Sequence, residues 1–244
     1  KYLTLRLGHM EINYGDAHFR RTDNGNAFHN PFIGNYLMDA FTTEIGAELY
    51  FQSKGYLAMA GATNGEINGM VTNPTQRSPS FYGKLGYDKK LNGLFRFRIS
   101  GSAYLTNNSV NNTLYSGDRT GSRYYMVLEN TLASTSSNFT SGRINPGFRD
   151  KVTAFVVNPF VKFGGFEFFG SVEQAIGRNS VETADRSFLQ LAGDIVYRFG
   201  KNEKIYVALR YNQVSGELAG ISEKVTVDRV QAGAGWFVTK NILA

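Results

Sequence analysis

The chain has 244 residues, a formal charge of +6 and no cysteine; 27 residues are glycine, 5 are proline and 14% are aromatic, mostly Tyr and Phe. Strong β-formers punctuated by Gly, with almost no sustained helical periodicity, exclude a helical protein and favour one large all-β domain over two small ones. No run of about 18 apolar residues occurs, which excludes a transmembrane helix, while a mean hydropathy of −0.28 suits a soluble protein and equally a membrane barrel, where every second residue faces a wet lumen.

Residues 2–15 (YLTLRLGHMEINYG) read as the first strand. Leu3, Leu5 and Leu7 share one face and Thr4 and Arg6 the other; after Gly8 the apolar set becomes Met10 and Ile12, so a bulge is expected there. A long loop at 16–41, rich in His, Asn, Arg and Phe, follows. Residues 42–51 alternate Ile45, Ala47, Leu49 and Phe51 with Glu44, Gly46, Glu48 and Tyr50. A turn at 53–55 leads to a strand at 56–63, a polar loop at 64–80 and a strand at 81–87. After a turn at 89–93, residues 94–105 set Phe95, Phe97, Ile99, Ala103 and Leu105 against Arg96, Arg98, Ser100, Ser102 and Tyr104. A large polar stretch spans 107–150.

Strands at 151–163 and 166–177 flank Gly164-Gly165, a hairpin signal because Gly alone accepts the positive φ of primed turns without cost. Strands then follow at 187–199, 205–211 and 227–238, separated by a polar loop at 178–186, a turn at 201–204 and a loop at 216–226. A turn at 239–241 precedes a final strand. Residues 121–129 (GSRYYMVLE) are strand-like but have long polar links on both sides. As a spanning strand they would invert every later turn, so strand parity favours 107–150 as a single external excursion, with 121–132 an ordered piece of it folded into a pore.

Links alternate long and short, the pattern of an outer-membrane barrel with long external loops and short periplasmic turns. The fold expected is therefore all-β: an antiparallel transmembrane β-barrel forming a single domain over 1–244, with about eleven or twelve strands and large loops at 16–41 and 107–150. Because the chain opens and closes within alternating runs, it is expected to be a partial or processed segment. Aromatics flank the short turns. Phe51, Tyr87, Phe163, Phe166, Phe199 and Trp236 are the expected girdle at headgroup level, where an amphipathic ring is half apolar and half wet. The mixed face would line a pore through Arg6, Lys84, Arg96, Arg98, Lys162, Arg198, Arg210 and Arg229, with Glu44, Glu48, Glu167, Glu173 and Asp194 as its acids. Arg20, Arg21, Arg119, Arg123 and Tyr124 are candidates for a constriction loop. A cationic wall in a narrow channel focuses anions, whereas mutually cancelling pairs would only hold the wall open.

Other chemistries find little support. His9, His18 and His29 lack metal-ligand spacing and read as surface histidines. Residues 22–26 (TDNGN) have the composition of a calcium loop without its closing acid, and fit an Asn-Gly turn better. No G-x-S-x-G elbow suggests a nucleophile, so neither catalysis, a metal nor a cofactor is expected. Aromatic and basic residues alternate on opposite faces, which argues against nucleic acid.

YLTLRLGHMEINYG followed by a long polar loop resembles the opening strands of porins related to the phosphate-selective family, and QAGAGWFVTKNILA (231–244) resembles late strands of such barrels. The resemblance implies a trimeric diffusion channel of about sixteen to eighteen strands in a Gram-negative outer membrane. The family's anion-binding basic ladder does not map residue by residue; Arg96 and Arg98 are candidates by phase alone. The function expected is a passive channel for small hydrophilic solutes with weak anion preference, in contact with outer-membrane lipid and possible as a homotrimer or within a larger envelope complex. The alternative is a plugged or structural barrel acting as a scaffold in such a complex. A soluble β-sandwich would leave the aromatic bands exposed to water, an aggregation hazard.

Overall fold

The structure, a computed structural model, describes residues 2–20, 30, 32, 36–67, 75, 77–116 and 143–244. Its strands are β1 (Leu3–Glu11), β2 (Thr43–Ser53), β3 (Tyr56–Thr63), β4 (Ser80–Lys90), β5 (Phe95–Thr106), β6 (Lys151–Phe163), β7 (Phe166–Arg178), β8 (Arg186–Phe199), β9 (Ile205–Glu217), β10 (Lys224–Thr239) and β11 (Ile242–Leu243). They form one antiparallel sheet in chain order. Among the described residues the sheet is open: β1 and β11 are its edges and no ladder joins them. No described helix is long and apolar enough to cross a membrane, and Ala17–Arg20 form a 3₁₀ turn.

The short links follow from their residues. Lys54 and Gly55 have φ of +49° and +91°, the double positive φ that a two-residue primed turn requires. Gly164 (φ +54°) and Gly165 close another two-residue hairpin, with positive φ at the first of the two, placing Phe163 opposite Phe166. β5 pairs directly with β6 from Phe95–Phe163 to Thr106–Val152. The 107–150 excursion therefore leaves and re-enters between neighbouring strands; residues 121–132 lie outside the described residues.

Three expectations need correction. No bulge interrupts β1: pairing runs unbroken from Leu3–Phe51 to Glu11–Thr43 through Gly8–Gly46. The alternation never changes phase. What changes is the chemistry, because Met10, Ile12 and Tyr14 continue the inward set of Thr4 and Arg6 and become core. The first strand also ends at Glu11, after which the chain turns across the concave face. Finally, the loop expected at 216–226 shrinks to 218–223, because β9 and β10 go on pairing to Glu217–Lys224, helped by a 2.8 Å Ser215–Thr226 hydroxyl contact.

Register levels separate two surfaces. One outward level runs Leu3, Phe51, Ala58, Leu85, Gly101, Val157, Val172 and Leu191 from β1 to β8. It continues through Gln213 to Asp228, near the start of β10. A level that begins near the short-link end of β1 and reaches the long-link end of β10 means staggered strands, the shear a curled sheet needs. An inward level runs Tyr50, Met59, Lys84, Ser102, Val156, Glu173, Gln190 and Val214.

The core lies on the inward face, toward the long links. Ile12, Tyr14, Leu37, Met38, Leu114, Tyr115 and Phe148 from the links pack on Met59, Tyr82, Tyr104, Val152 and Phe188. Ala154 and Ala175 are fully buried there; their small side chains leave room for the rings. Each large apolar side chain buried in this way contributes roughly 1.5–3 kcal/mol, enough to hold polar-looking links against the sheet.

Candidate functional site

The chain enters the concave face at 12–20, and Asp16 is the node that fixes it. Its carboxylate accepts from Arg98 Nε (2.7 Å) and Nη2 (2.9 Å), from Ser100 Oγ (2.7 Å) and from Lys84 Nζ (3.1 Å). Lys84 also donates to the Gly15 carbonyl at 2.5 Å and to the Asn13 side chain. The Gly15 and Asp16 amides donate to Ser102 (3.0 Å) and Asn158 (2.8 Å). Strands β4, β5 and β6 thus grip one turn of main chain. Burial alone would raise the Asp16 carboxyl, but the Arg98 hydrogen bonds and the Lys84 charge hold it well below the usual carboxylate range.

A second grip lies on β7 to β9. Gln190 accepts from the Met38 amide (2.9 Å) and donates to the Met38 carbonyl (2.6 Å), while Asn212 accepts from the Leu37 amide (2.5 Å). Glu173 accepts from the Tyr14 (3.1 Å) and Tyr115 (2.6 Å) hydroxyls. Burial and then the Glu173 charge push both phenols up, so they remain donors. Asp194 pairs with Arg210 at 2.7 and 2.8 Å and accepts from Tyr36 at 2.7 Å. Arg210 stacks beneath Phe32 and Tyr36, with its guanidinium carbon 4.4 and 4.1 Å from the ring centres. Irregular backbone can be buried only when its N–H and C=O groups find partners, and the sheet supplies them.

Toward the short links the concave face is not filled. A cavity of about 1090 Å³ opens there, lined by Arg6, Arg20, Arg96, Arg98, Lys162 and Arg198 and by the acids Glu11, Asp16, Glu167 and Glu203. We call it the vestibule. Its charges are mostly paired: Arg6 with Glu48 (3.2 Å), Arg20 with Glu167 (3.0 Å), Arg96 with Asp88 (2.5 Å) and Lys162 with Glu203 (3.2 Å). Arg198 lies over the Tyr206 ring at 5.4 Å.

The predicted basic residues therefore divide. Arg6, Arg96, Arg98, Lys162 and Arg198 share the vestibule, and Arg20 joins them from the 3₁₀ turn. Lys84 and Arg210 are buried under the links and face no open space. Arg229 is partly buried on β10, level with Asn212. Of the acids, Glu44, Glu48, Glu173 and Asp194 are buried, and Glu167 reaches the vestibule. Arg21, Arg119, Arg123, Tyr124 and His29 lie outside the described residues. The histidine reading changes at one position: His9 is exposed beside Thr43 at 3.0 Å, but His18 is 4% exposed, with Nδ1 3.0 Å from the Tyr14 carbonyl oxygen.

The aromatics named for the girdle, Phe51, Tyr87, Phe163, Phe166, Phe199 and Trp236, all lie on the outward face beside short links, and Phe163 and Trp236 are 60% and 53% exposed. At the opposite end, ion pairs tie the rim: Arg186–Glu182 (2.6 Å), Lys151–Asp185 (2.6 Å) and Arg178–Asp150 (3.1 Å). Arg186 and Lys151 hold the Glu182 and Asp185 carboxyls below their ordinary values.

Sequence reasoning missed the inner links: Asn13, Asp16, Tyr36, Leu37, Met38, Leu114 and Tyr115 all fell within stretches read as strand end or polar loop. A signal was present, since Leu37-Met38 and Leu114-Tyr115 are apolar pairs inside otherwise polar segments. No protein-family model and no curated protein matches the chain in sequence.

Proposed function

We propose that the chain forms the wall of a bacterial outer-membrane β-barrel of the porin kind, a passive channel for small hydrophilic solutes. The observation that carries this reading is the outward register level of Leu3, Phe51, Ala58, Leu85, Gly101, Val157, Val172 and Leu191, set above an inward face of charges and amides. Its Leu3, Leu85 and Val172 are 62%, 69% and 48% exposed. Hydrocarbon is the solvent in which such a face is stable. The vestibule supplies weak anion preference, because Arg6 and Arg96 are more exposed to its open volume than the Glu48 and Asp88 carboxylates that pair with them, and a low-dielectric wall focuses their field. Assembly as a homotrimer or within an envelope complex fits this reading, and no catalytic step is part of it.

A second reading is a plugged barrel serving as a scaffold. It draws on the main-chain grips: the Gly15, Asp16, Leu37 and Met38 amides are bound by side chains of the sheet. Planar-bilayer recording under a KCl gradient separates the two. Stable conductance with a chloride-favouring reversal potential is expected of the channel; insertion without conductance refutes it and leaves the scaffold. The membrane setting has its own test. Val172→Arg, central on the outward face of β7, should lower stability in lipid by about 2–4 kcal/mol; no loss would remove that face from hydrocarbon.

A further inference from the structure

A groove of about 670 Å³ marks the outward face of β2 to β6 near the short links. Its cause is the order of residue sizes along one register level: Ala58 and Gly101 are small, and they alternate with Phe51, Leu85 and Val157. The groove falls within the range of about 300–1,000 Å³ typical of small-ligand sites. Its lining is almost entirely apolar, and Ile99 and Tyr87 add to the walls. At the turn end the Tyr56 and Tyr87 rings meet at 4.6 Å in a tilted pair.

Past that pair the chemistry changes sign and polarity. Lys89 follows Tyr87 on the same face of β4, and Lys54 occupies the adjoining turn; both are exposed. Asp88 points to the concave side, where Arg96 holds it at 2.5 Å. Among the described residues neither lysine has a carboxylate partner. An apolar slot, then an aromatic pair, then two uncompensated cations is the order of an acyl chain, a glycerol and a phosphate.

We infer that this groove is a binding site for one anionic phospholipid, its acyl chain over Ala58 and Gly101 and its phosphate between Lys54 and Lys89. The inference rests on the membrane reading above. An anionic headgroup is favoured over a second copy of the chain because a lysine pair at the turn of each copy would meet its like across an interface, whereas a phosphate meets opposite charge.

The test uses the full chain refolded into nanodiscs of phosphatidylcholine doped with phosphatidylglycerol, then released into mild detergent for native mass spectrometry. Wild type should retain one phosphatidylglycerol per chain. Lys54→Asn with Lys89→Gln should weaken retention about thirtyfold, from roughly fivefold per lysine near an anionic headgroup. Asn is used at position 54 because it tolerates positive φ. Gly101→Leu should abolish retention by filling the slot; a side chain fits there, since the nearest atom to an added Cβ is 4.0 Å away. Lys201→Gln with Lys204→Gln, at a different turn, should leave retention unchanged. Equal retention by all variants, equal retention of phosphatidylcholine, or a second chain in place of lipid would each overturn the site while leaving insertion intact. A chain that fails to enter the nanodisc would overturn the membrane reading itself.

Discussion

Replacing Asp16 by Ala removes four hydrogen bonds from one carboxylate and leaves the Lys84 ammonium, 2% exposed, without its counter-charge. Breaking one side of a buried pair costs about 3–5 kcal/mol, because the remaining charge stays desolvated. Arg98 is less affected: it is partly exposed and lies within 3.5 Å of Asp88, so it keeps a partner. Most of the cost should therefore be Lys84's. If so, Lys84→Met in the Asp16→Ala background should recover much of the loss, although Lys84→Met alone is destabilising because it strips Asp16 and the Gly15 carbonyl of a donor. A double-mutant cycle by urea unfolding of the full chain in lipid or detergent measures this, with an expected coupling above about 1 kcal/mol. Changes that add to within about 0.5 kcal/mol would mean that the two groups do not share one buried interaction, and Asp16 would cease to be the node.

The same carboxylate predicts an acid response. Its folded pKa lies below the unfolded value of about 3.9, so its contribution is fully present above that value and is lost as pH falls toward the folded one. Asp16→Asn should flatten the stability profile below about pH 4; an unchanged acid limb would disprove the assignment. Gly216→Ala should cost about 1–3 kcal/mol, because an added Cβ collides with the buried Phe188 ring, itself edge-packed on Phe148 at 5.8 Å. Gly101→Ala, which meets open space, should stay within about 0.5 kcal/mol of wild type in the same denaturation assay. Asp185→Asn, at the exposed rim, should change stability by less than about 1 kcal/mol.

The strands were legible because a half-buried strand writes its faces as alternation. Leu94–Leu105 could be phased residue by residue, and Phe95 and Phe97 indeed lie opposite Phe163 and Val161 on one face. The vestibule was partly legible for the same reason: once the phase is known, Arg6, Arg96, Arg98, Lys162 and Arg198 must share the concave side. Phase could not tell which inward residues meet open space. Lys84 and Arg98 have the same phase, yet Lys84 is buried by a turn contributed from residues 13–16. Loop packing of that kind is long-range, with Tyr14 meeting Glu173 and Met38 meeting Gln190 across 159 and 152 residues, and no local pattern encodes it. Met10 and Ile12 are visible as an alternating apolar set, but apolar residues on the mixed face imitate a slip in register, so the pattern suggests a bulge where pairing in fact runs unbroken.

The two halves of the concave face put similar residues to different uses. Toward the long links, Gln190, Asn158, Asn212 and Ser102 bind main-chain groups of inward-folded segments. Such partners replace the water that irregular backbone would otherwise need. Toward the short links the same alternation places Arg6, Arg96 and Lys162 around open volume, with side chains 48%, 48% and 33% exposed. Removing a vestibule cation therefore alters the field that a mobile ion meets, while removing an amide such as Asn212 alters the packing that closes the other half. Arg96→Glu with Lys162→Glu, both exposed in the open half, should shift reversal potentials toward cation preference. Asn212→Ala should instead change conductance level with little change in preference, because the Leu37 amide loses its acceptor and the inner link loosens. If both variants moved selectivity alike, the division of the concave face into a packed half and an electrostatic half would be wrong.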